Sequence, residues 1–222
     1  MILSQSHKFL FVHVPKTAGT ALTAALSPFG VTGTRHLWRR LLRRLPVTES
    51  PDHAYLRKHE TAADIRRKLS PAVFDRYHRF AVVRNPFDHA VSHYEYLKEF
   101  RNARIARQMS AMSFTEYLHH RIKVKTLTTR FFVRLPDQAH FIAEADGALL
   151  LHRIMRFESL QDDFKALVRD LALGDVELKQ VNRTKAKSRS KFYKSYYDTE
   201  SSDLVRQLYA RDFRILGYSE EL

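Results

Sequence analysis

The sequence contains no cysteine, and only six glycines and seven prolines occur among its 222 residues. Without thiols, the chain cannot form disulfides, thiolate metal sites or a cysteine nucleophile. Because glycine and proline are scarce and 44% of the residues are hydrophobic, a collagen-like repeat and a disordered chain are both excluded. We therefore expect a single globular domain over residues 1–222, with a buried hydrophobic core.

The sequence also lacks an apolar run long enough for a signal peptide or a membrane span. From this we expect a soluble, cytoplasmic protein with no transmembrane segment. Acidic residues are few relative to basic ones, since 24 Asp and Glu stand against 38 Lys and Arg, a formal net charge of +14. A positive field attracts polyanions. Nucleic acid, anionic lipid, an acidic glycan and a multiply phosphorylated cofactor all stay open at this point.

Short apolar runs followed by helical patterns predict an α/β fold. Residues 8–14 are apolar, β-branched and aromatic and end at Pro15, as expected for a buried strand, and residues 20–26 favour a helix. The same order returns at residues 80–83, which precede a second helical pattern. This alternation predicts a central parallel sheet flanked by helices.

The second helix has a clear start signal, because Asn85 suits the N-cap and Pro86 the first helical position. We expect this helix to extend to about Phe100. The other predicted elements are a strand over 154–157 and helices around 114–120, over 161–171 and after the basic stretch 182–194.

The loop over residues 15–20, Pro-Lys-Thr-Ala-Gly-Thr, is suited to binding a phosphate. Its small residues allow backbone N–H groups to approach an anion, and the helix that follows contributes its positive N-terminal end. Lys16 adds charge, and Thr17 and Thr20 add hydroxyl donors. The lysine precedes the glycine, so the ordinary Walker order is absent. An ordinary strand-to-helix turn uses a glycine as well, and the loop alone leaves both interpretations open.

Two stretches resemble the sulfotransferase family that includes the Golgi glycan enzymes acting on chondroitin, dermatan and heparan, with many bacterial members. Residues 11–20 are similar to the family's 5′-phosphosulfate loop, and residues 82–88 with Ser92 and Tyr94 are similar to its 3′-phosphate motif. Further matches at 58–62, 156–160 and 209–213 extend the resemblance over nearly the whole chain. The sequence departs from the pattern at Ala21, where serine is frequent, and at His89, where arginine is common.

The resemblance implies a three-layer, P-loop-like α/β fold and an enzyme that uses 3′-phosphoadenosine 5′-phosphosulfate (PAPS). The sulfuryl group would move to a hydroxyl of a carbohydrate or glycolipid acceptor, anionic acceptors included, and adenosine 3′,5′-bisphosphate would be released. Neither a metal nor a specific nucleic acid is expected. The residues implied to bind the cofactor are Lys16, Thr17, Ala18, Gly19, Thr20, Ala21, Arg84 and Ser92.

Two residues are expected to carry the chemistry. Lys16 would stabilise the charge that develops on the bridging oxygen as the sulfur–oxygen bond breaks. The acceptor hydroxyl needs a general base, and histidine suits this role near neutral pH. Of the twelve histidines, His59 is preferred because it lies between the two cofactor motifs, where similar enzymes place a catalytic histidine. His13 is the second candidate.

Other features keep more than one interpretation. His89 and His93 have the spacing of a metal pair, but no third ligand accompanies them. The basic segment 36–45 fits a helix that packs one face, cradles an anionic acceptor or contacts a membrane surface. Residues 182–189 form a solvated loop, close over the cofactor or lie at the acceptor groove. Arg156 with Glu158 forms either a buried ion pair or a substrate contact. The rival functions are a nucleotide-dependent kinase and a basic nucleic-acid-binding protein.

Overall fold

In a computed structural model of the chain, one sheet is formed by the strands β1 (Ile2–Ser4), β2 (Phe9–Val12), β3 (His78–Val83) and β4 (Arg153–Arg156), in that spatial order. The structure describes residues 1–30, 50, 51, 54, 56–123, 135–178 and 192–222. Strands β2, β3 and β4 are parallel, and β1 pairs antiparallel with β2 at the edge. An antiparallel edge strand is common on an otherwise parallel sheet.

Helices alternate with the strands along the chain. They are α1 (Gly19–Leu26), α2 (Ala62–Leu69), α3 (Pro71–Phe74), α4 (Pro86–Lys98), α5 (Ala103–Ser110), α6 (Phe114–Lys123), α7 (Ala139–Ile142), α8 (Leu160–Asp170), α9 (Thr199–Leu208) and α10 (Ala210–Leu216). Single 3₁₀ turns occur at Ser27–Phe29, Phe157–Ser159 and Tyr193–Tyr196. No helix within the described residues is long and apolar enough to cross a membrane.

The chain divides into two units, each with its own core. The first unit comprises Met1–Val83 and His140–Val181, and the second comprises Arg84–Ala139 and Asn182–Leu222. The sheet belongs to the first unit. The prediction of one domain over residues 1–222 stays a prediction.

The core of the first unit follows from the two-residue period of its strands. One face of the sheet, which includes Phe11 of β2 and Phe80 of β3, packs against apolar residues of α1 and α8 such as Leu22 and Phe164. The residues of the opposite face, Leu10, Val12, Ala81 and Val83, are fully buried as well. Because both faces are covered, the fold has three layers, and the predicted α/β class is confirmed.

The second unit is built from helices. Its core contains Phe87 of α4, Tyr117 of α6, Val205 of α9 and Phe213 of α10, all of them buried. The start of α4 is as predicted, since Asn85 is the N-cap, its side chain accepts from the Phe87 N–H, and a proline follows it. The remaining predicted strands and helices that lie in the described residues are confirmed with shifts of one to three residues at their ends.

Candidate active site

The loop between β2 and α1 holds Lys16 in an uncommon backbone conformation. Lys16 has φ 67° and Ala18 has φ 63°, so two residues that carry a Cβ occupy the left-handed region. Such a residue costs about 1–3 kcal/mol and persists only where its surroundings hold it, most often at functional sites. The buried hydroxyl of Thr17 donates to the Val14 carbonyl at 2.9 Å and fixes the loop from inside.

Helix α1 begins directly at this loop. The carbonyl of Ala18 accepts from the amides of Ala21 at 3.0 Å and of Leu22 at 3.3 Å, which closes the first turn. The amides of the first residues of a helix, here Gly19 and Thr20, have no acceptor within the helix and suit an anion. Ala21 packs its methyl group against the core of the first unit. The predicted loop residues therefore lie together at the start of α1. The Thr17 hydroxyl, however, binds the Val14 carbonyl within the loop.

Gly19 is required by its contact with His13. A Cβ added to Gly19 would overlap the imidazole ring of His13, so the ring packs directly on the glycine backbone. His13 is 3% exposed, and its Nδ1 has no hydrogen-bond partner within the part of the chain that the structure describes. Burial lowers the pKa of His13 to about 2, which keeps the ring neutral at physiological pH.

His59 is joined to the same loop through the backbone of His13. Its Nδ1 lies 3.0 Å from the His13 carbonyl oxygen, and the two rings meet edge to face with centroids 4.5 Å apart. A carbonyl only accepts, so Nδ1 carries the proton and Nε2 of the neutral ring carries the lone pair. Burial lowers the pKa of His59 to about 4, although the hydrogen bond to His13 opposes this shift. The two histidines chosen from the sequence are thus in contact.

The segment that carries His59 is anchored on both sides. The buried Glu60 accepts from the backbone N–H of Arg57 at 2.8 Å and forms an ion pair with Lys68 of α2. Thr61 caps α2 by accepting from the Asp64 amide at 3.0 Å. These contacts fix the segment that carries His59 just before the N-cap of α2.

In the second unit, Arg84 is buried, with Asp88 of α4 bound to its side chain and Gln138 bound to its backbone. Its Nε donates to Asp88 at 2.6 Å, and the whole residue is only 5% exposed. Its backbone N–H donates to Gln138 Oε1 at 2.8 Å, and its carbonyl accepts from Gln138 Nε2 at 2.8 Å. Ser92 follows Asp88 by four residues on α4, so the two side chains project from the same face. Arg84 therefore lies just before α4 and binds Asp88 in its first turn, and Ser92 follows on the next turn of that helix.

No role was predicted for Gln138 and Asp212, both of which are fully buried. The Asp212 carboxylate accepts from the amides of Gln138 at 2.9 Å and Ala139 at 2.7 Å and from the Gln138 side chain at 3.1 Å. Burial and the neighbouring Asp137 raise the pKa of Asp212 to about 7, against the effect of these donors. Asp212 lies within residues 209–213, one of the stretches in which the sequence resembles the sulfotransferase family, and that resemblance was the available signal.

The paired histidines of α4 belong to a buried polar network. His89 Nδ1 bonds the Tyr209 hydroxyl at 3.2 Å, and His93 Nδ1 bonds the Tyr117 hydroxyl at 2.6 Å. Arg121 donates to the Tyr209 hydroxyl at 2.7 Å and fixes its direction. Within the described ranges no group of three potential metal ligands occurs.

Three further hypotheses have different outcomes. The basic segments 36–45 and 182–189 lie outside the described residues. Arg156 and Glu158 are both exposed at the end of β4, so the buried ion pair is wrong.

Comparison with known proteins identifies the family of the chain. A model of the sulfotransferase family matches residues 1–219 of the 222-residue chain. No curated protein and no solved structure matches it. The match makes this protein a group-transfer enzyme. The chain belongs to the sulfotransferase family.

Proposed function

We propose that this sulfotransferase takes the sulfuryl group from PAPS and places it on a hydroxyl of a carbohydrate or glycolipid acceptor. The observation that carries the proposal is the loop after β2, where Lys16 and Ala18 hold left-handed backbone angles beside the start of α1. A strained loop that presents amides and a lysine at a helix N-terminus is suited to an anion. PAPS offers such an anion at its 5′ end.

The donor would be held by both motifs. The 5′-phosphosulfate would bind Lys16 and the loop amides, while Arg84 and Ser92 would bind the 3′-phosphate through charge-assisted hydrogen bonds. Strands β2 and β3 are parallel neighbours, and Arg84 directly follows the last residue of β3. Ligands of open α/β sheets bind at the carboxyl ends of the strands, which supports this assignment.

In the proposed reaction, the acceptor oxygen attacks sulfur opposite the bond to the 5′-phosphate. The hydroxyl proton passes to Nε2 of His59, whose Nδ1–H is directed to the His13 carbonyl. The sulfur–oxygen bond to the phosphate breaks, and its electron pair stays on the bridging oxygen. The Lys16 ammonium stabilises the charge that develops there. The products are a sulfate ester and adenosine 3′,5′-bisphosphate.

The acceptor class rests on the resemblance to glycan sulfotransferases and on the net charge of +14, which favours an anionic acceptor. Contact with a membrane surface through residues 36–45 would fit a glycolipid acceptor. We also propose a cytoplasmic location, a single sulfotransferase domain over residues 1–222, and no requirement for a metal or for a specific nucleic acid. The family match over residues 1–219 supports the single domain.

The test is incubation of the purified protein with PAPS and a panel of glycans and glycolipids, followed by mass spectrometry of the products. The expected result is an acceptor that gains one sulfate group together with release of adenosine 3′,5′-bisphosphate. Lys16→Ala should lower turnover about 10²- to 10³-fold. Lys165→Ala, which changes an exposed lysine of α8, is the matched control and should keep full turnover. Equal turnover of the two variants would contradict the role of Lys16.

The rival functions are separated by their ligands. Stabilisation against heat should be larger with adenosine 3′,5′-bisphosphate than with ATP and magnesium or with an oligonucleotide. A kinase would respond to ATP and magnesium, and a nucleic-acid-binding protein would respond to the oligonucleotide in a strongly salt-dependent way.

A further inference from the structure

The side chain of Gln138 forms a two-point contact with the backbone of Arg84. Its Oε1 accepts the Arg84 N–H and its Nε2 donates to the Arg84 carbonyl, both at 2.8 Å. This is the pair of hydrogen bonds that a neighbouring strand would make. Strand β3 ends at Val83, so Gln138 binds the backbone of the first residue after that strand.

The Arg84 backbone and Asp212 together fix which way this amide points. A backbone N–H only donates and a backbone carbonyl only accepts, and Asp212 Oδ2 lies 3.1 Å from Gln138 Nε2, the atom that donates to the Arg84 carbonyl. The NH₂ group of Gln138 therefore faces both Asp212 and the Arg84 carbonyl, which leaves Oε1 for the Arg84 N–H. Asp212 also accepts from the backbone amides of Gln138 and Ala139, at 2.9 Å and 2.7 Å. Both side chains are fully buried, so water does not compete for these bonds.

Arg84 is thus held at two points. Gln138 fixes its backbone, and Asp88 binds Nε of its guanidinium at 2.6 Å. A long side chain that is held in this way loses less conformational freedom when it binds a phosphate. The Gln138 contact does more than stabilise the fold, because it fixes the backbone from which the guanidinium extends to Asp88.

We propose that Gln138, oriented by Asp212, is a positioning residue for recognition of the 3′-phosphate. The inference rests on the proposed function, in which Arg84 binds that phosphate. Gln138 acts only through Arg84. Its removal therefore lowers the preference for a 3′-phosphorylated nucleotide and leaves the binding of the rest of the nucleotide unchanged.

The test uses calorimetric titration with adenosine 3′,5′-bisphosphate and with adenosine 5′-monophosphate, which lacks the 3′-phosphate. The ratio of the two dissociation constants measures the preference. Gln138→Leu, which keeps similar bulk without hydrogen bonds, should lower the preference about tenfold. Binding of the monophosphate should stay within about twofold of the wild type. Gln207→Leu, at an exposed position of α9, is the matched control and should keep the wild-type ratio.

The double variant Arg84→Ala/Gln138→Leu separates positioning from stability. If Gln138 acts through Arg84, the double variant should show the same preference as Arg84→Ala alone. A fall in the affinity of Gln138→Leu for both nucleotides by the same factor would overturn the proposal, as would an unchanged ratio. If Gln138→Leu does not fold, Asp212→Asn decides by the same ratio, because it removes one acceptor and keeps the shape.

Failure of the inference differs from failure of the proposed function. If Arg84→Ala keeps the preference, the assignment of the 3′-phosphate to Arg84 is wrong. If Arg84→Ala loses the preference and Gln138→Leu keeps it, Arg84 stands and only the role of Gln138 is wrong.

Discussion

The Nδ1 of His59 lies 3.0 Å from the backbone carbonyl of His13, three residues before Lys16 in the chain. The bond sets the tautomer of His59 and ties it to the loop that would hold the phosphosulfate. Neutral His59 therefore presents its lone pair at Nε2, as a general base requires. Because the partner is a backbone atom, replacing the His13 side chain does not remove the bond directly.

This relationship allows the two nitrogens of His59 to be tested separately. His59→Asn keeps an N–H donor near the position of Nδ1 and removes Nε2, so the segment should keep its fold while the base is lost. We expect turnover to fall about 10²- to 10⁴-fold, with adenosine 3′,5′-bisphosphate binding and Tm little changed. Steady-state kinetics and calorimetry measure the two effects. Turnover of His59→Asn close to that of the wild type would exclude His59 as the base.

The pKa of His59 should respond to the cofactor. In the protein alone, burial lowers this pKa to about 4, so the ring is neutral and able to accept a proton at all higher pH values. A bound polyanion nearby favours the imidazolium and should raise the pKa. NMR titration of the imidazole with and without adenosine 3′,5′-bisphosphate measures the shift. A His59 that titrates near 6.5 in the free protein, or that does not respond to the ligand, would contradict the arrangement.

His13 should make the fold sensitive to acid. Its pKa is lowered to about 2 in the folded protein and is near 6.5 in the unfolded chain, so only the unfolded chain gains a proton as pH falls through 6.5. Protonation stabilises the unfolded chain, so the free energy of unfolding falls as the pH is lowered. Relative to His13→Gln, the free energy of unfolding of the wild type should fall by about 2 kcal/mol between pH 6.5 and pH 5. Urea denaturation of both proteins checks this, and a constant difference would contradict it.

The contact between Gly19 and His13 predicts a coupled pair of substitutions. Gly19→Ala places a methyl group against the His13 ring and should cost about 1–3 kcal/mol of unfolding free energy. His13→Ala removes the ring and makes room for that methyl group. The double variant should therefore be more stable than the sum of the single effects predicts, by about 1 kcal/mol or more. If the changes in unfolding free energy of the two single variants add up to that of the double variant, the His13 ring does not contact residue 19.

Much of the fold could be predicted from local patterns. The sequences of β2 and β3 are apolar runs. Pro15 marks the end of the first run, and Asn85-Pro86 marks both the end of the second run and the start of α4. Strand β1 was missed because it is three residues long and depends on antiparallel pairing with β2. A strand so short has too little periodicity to be recognised alone.

The sequence suggests candidate site residues only where they carry a local motif. Lys16 was predicted from a small-residue loop after a strand and Arg84 from its motif, whereas the positive φ of Lys16 has no sequence signal when the residue is not glycine. Gln138 and Asp212 meet across 74 positions of the chain. Their partnership arises from tertiary packing, which a single sequence does not reveal.

The most direct test of the central claim is calorimetric titration of adenosine 3′,5′-bisphosphate into the wild type, Lys16→Ala and Arg84→Ala. Arg101→Ala, at an exposed position, serves as the control. If both motifs bind one nucleotide, Lys16→Ala and Arg84→Ala should each weaken binding about 10- to 100-fold, since each removes a charged hydrogen-bond donor. Affinity equal to the control in either variant would contradict the account.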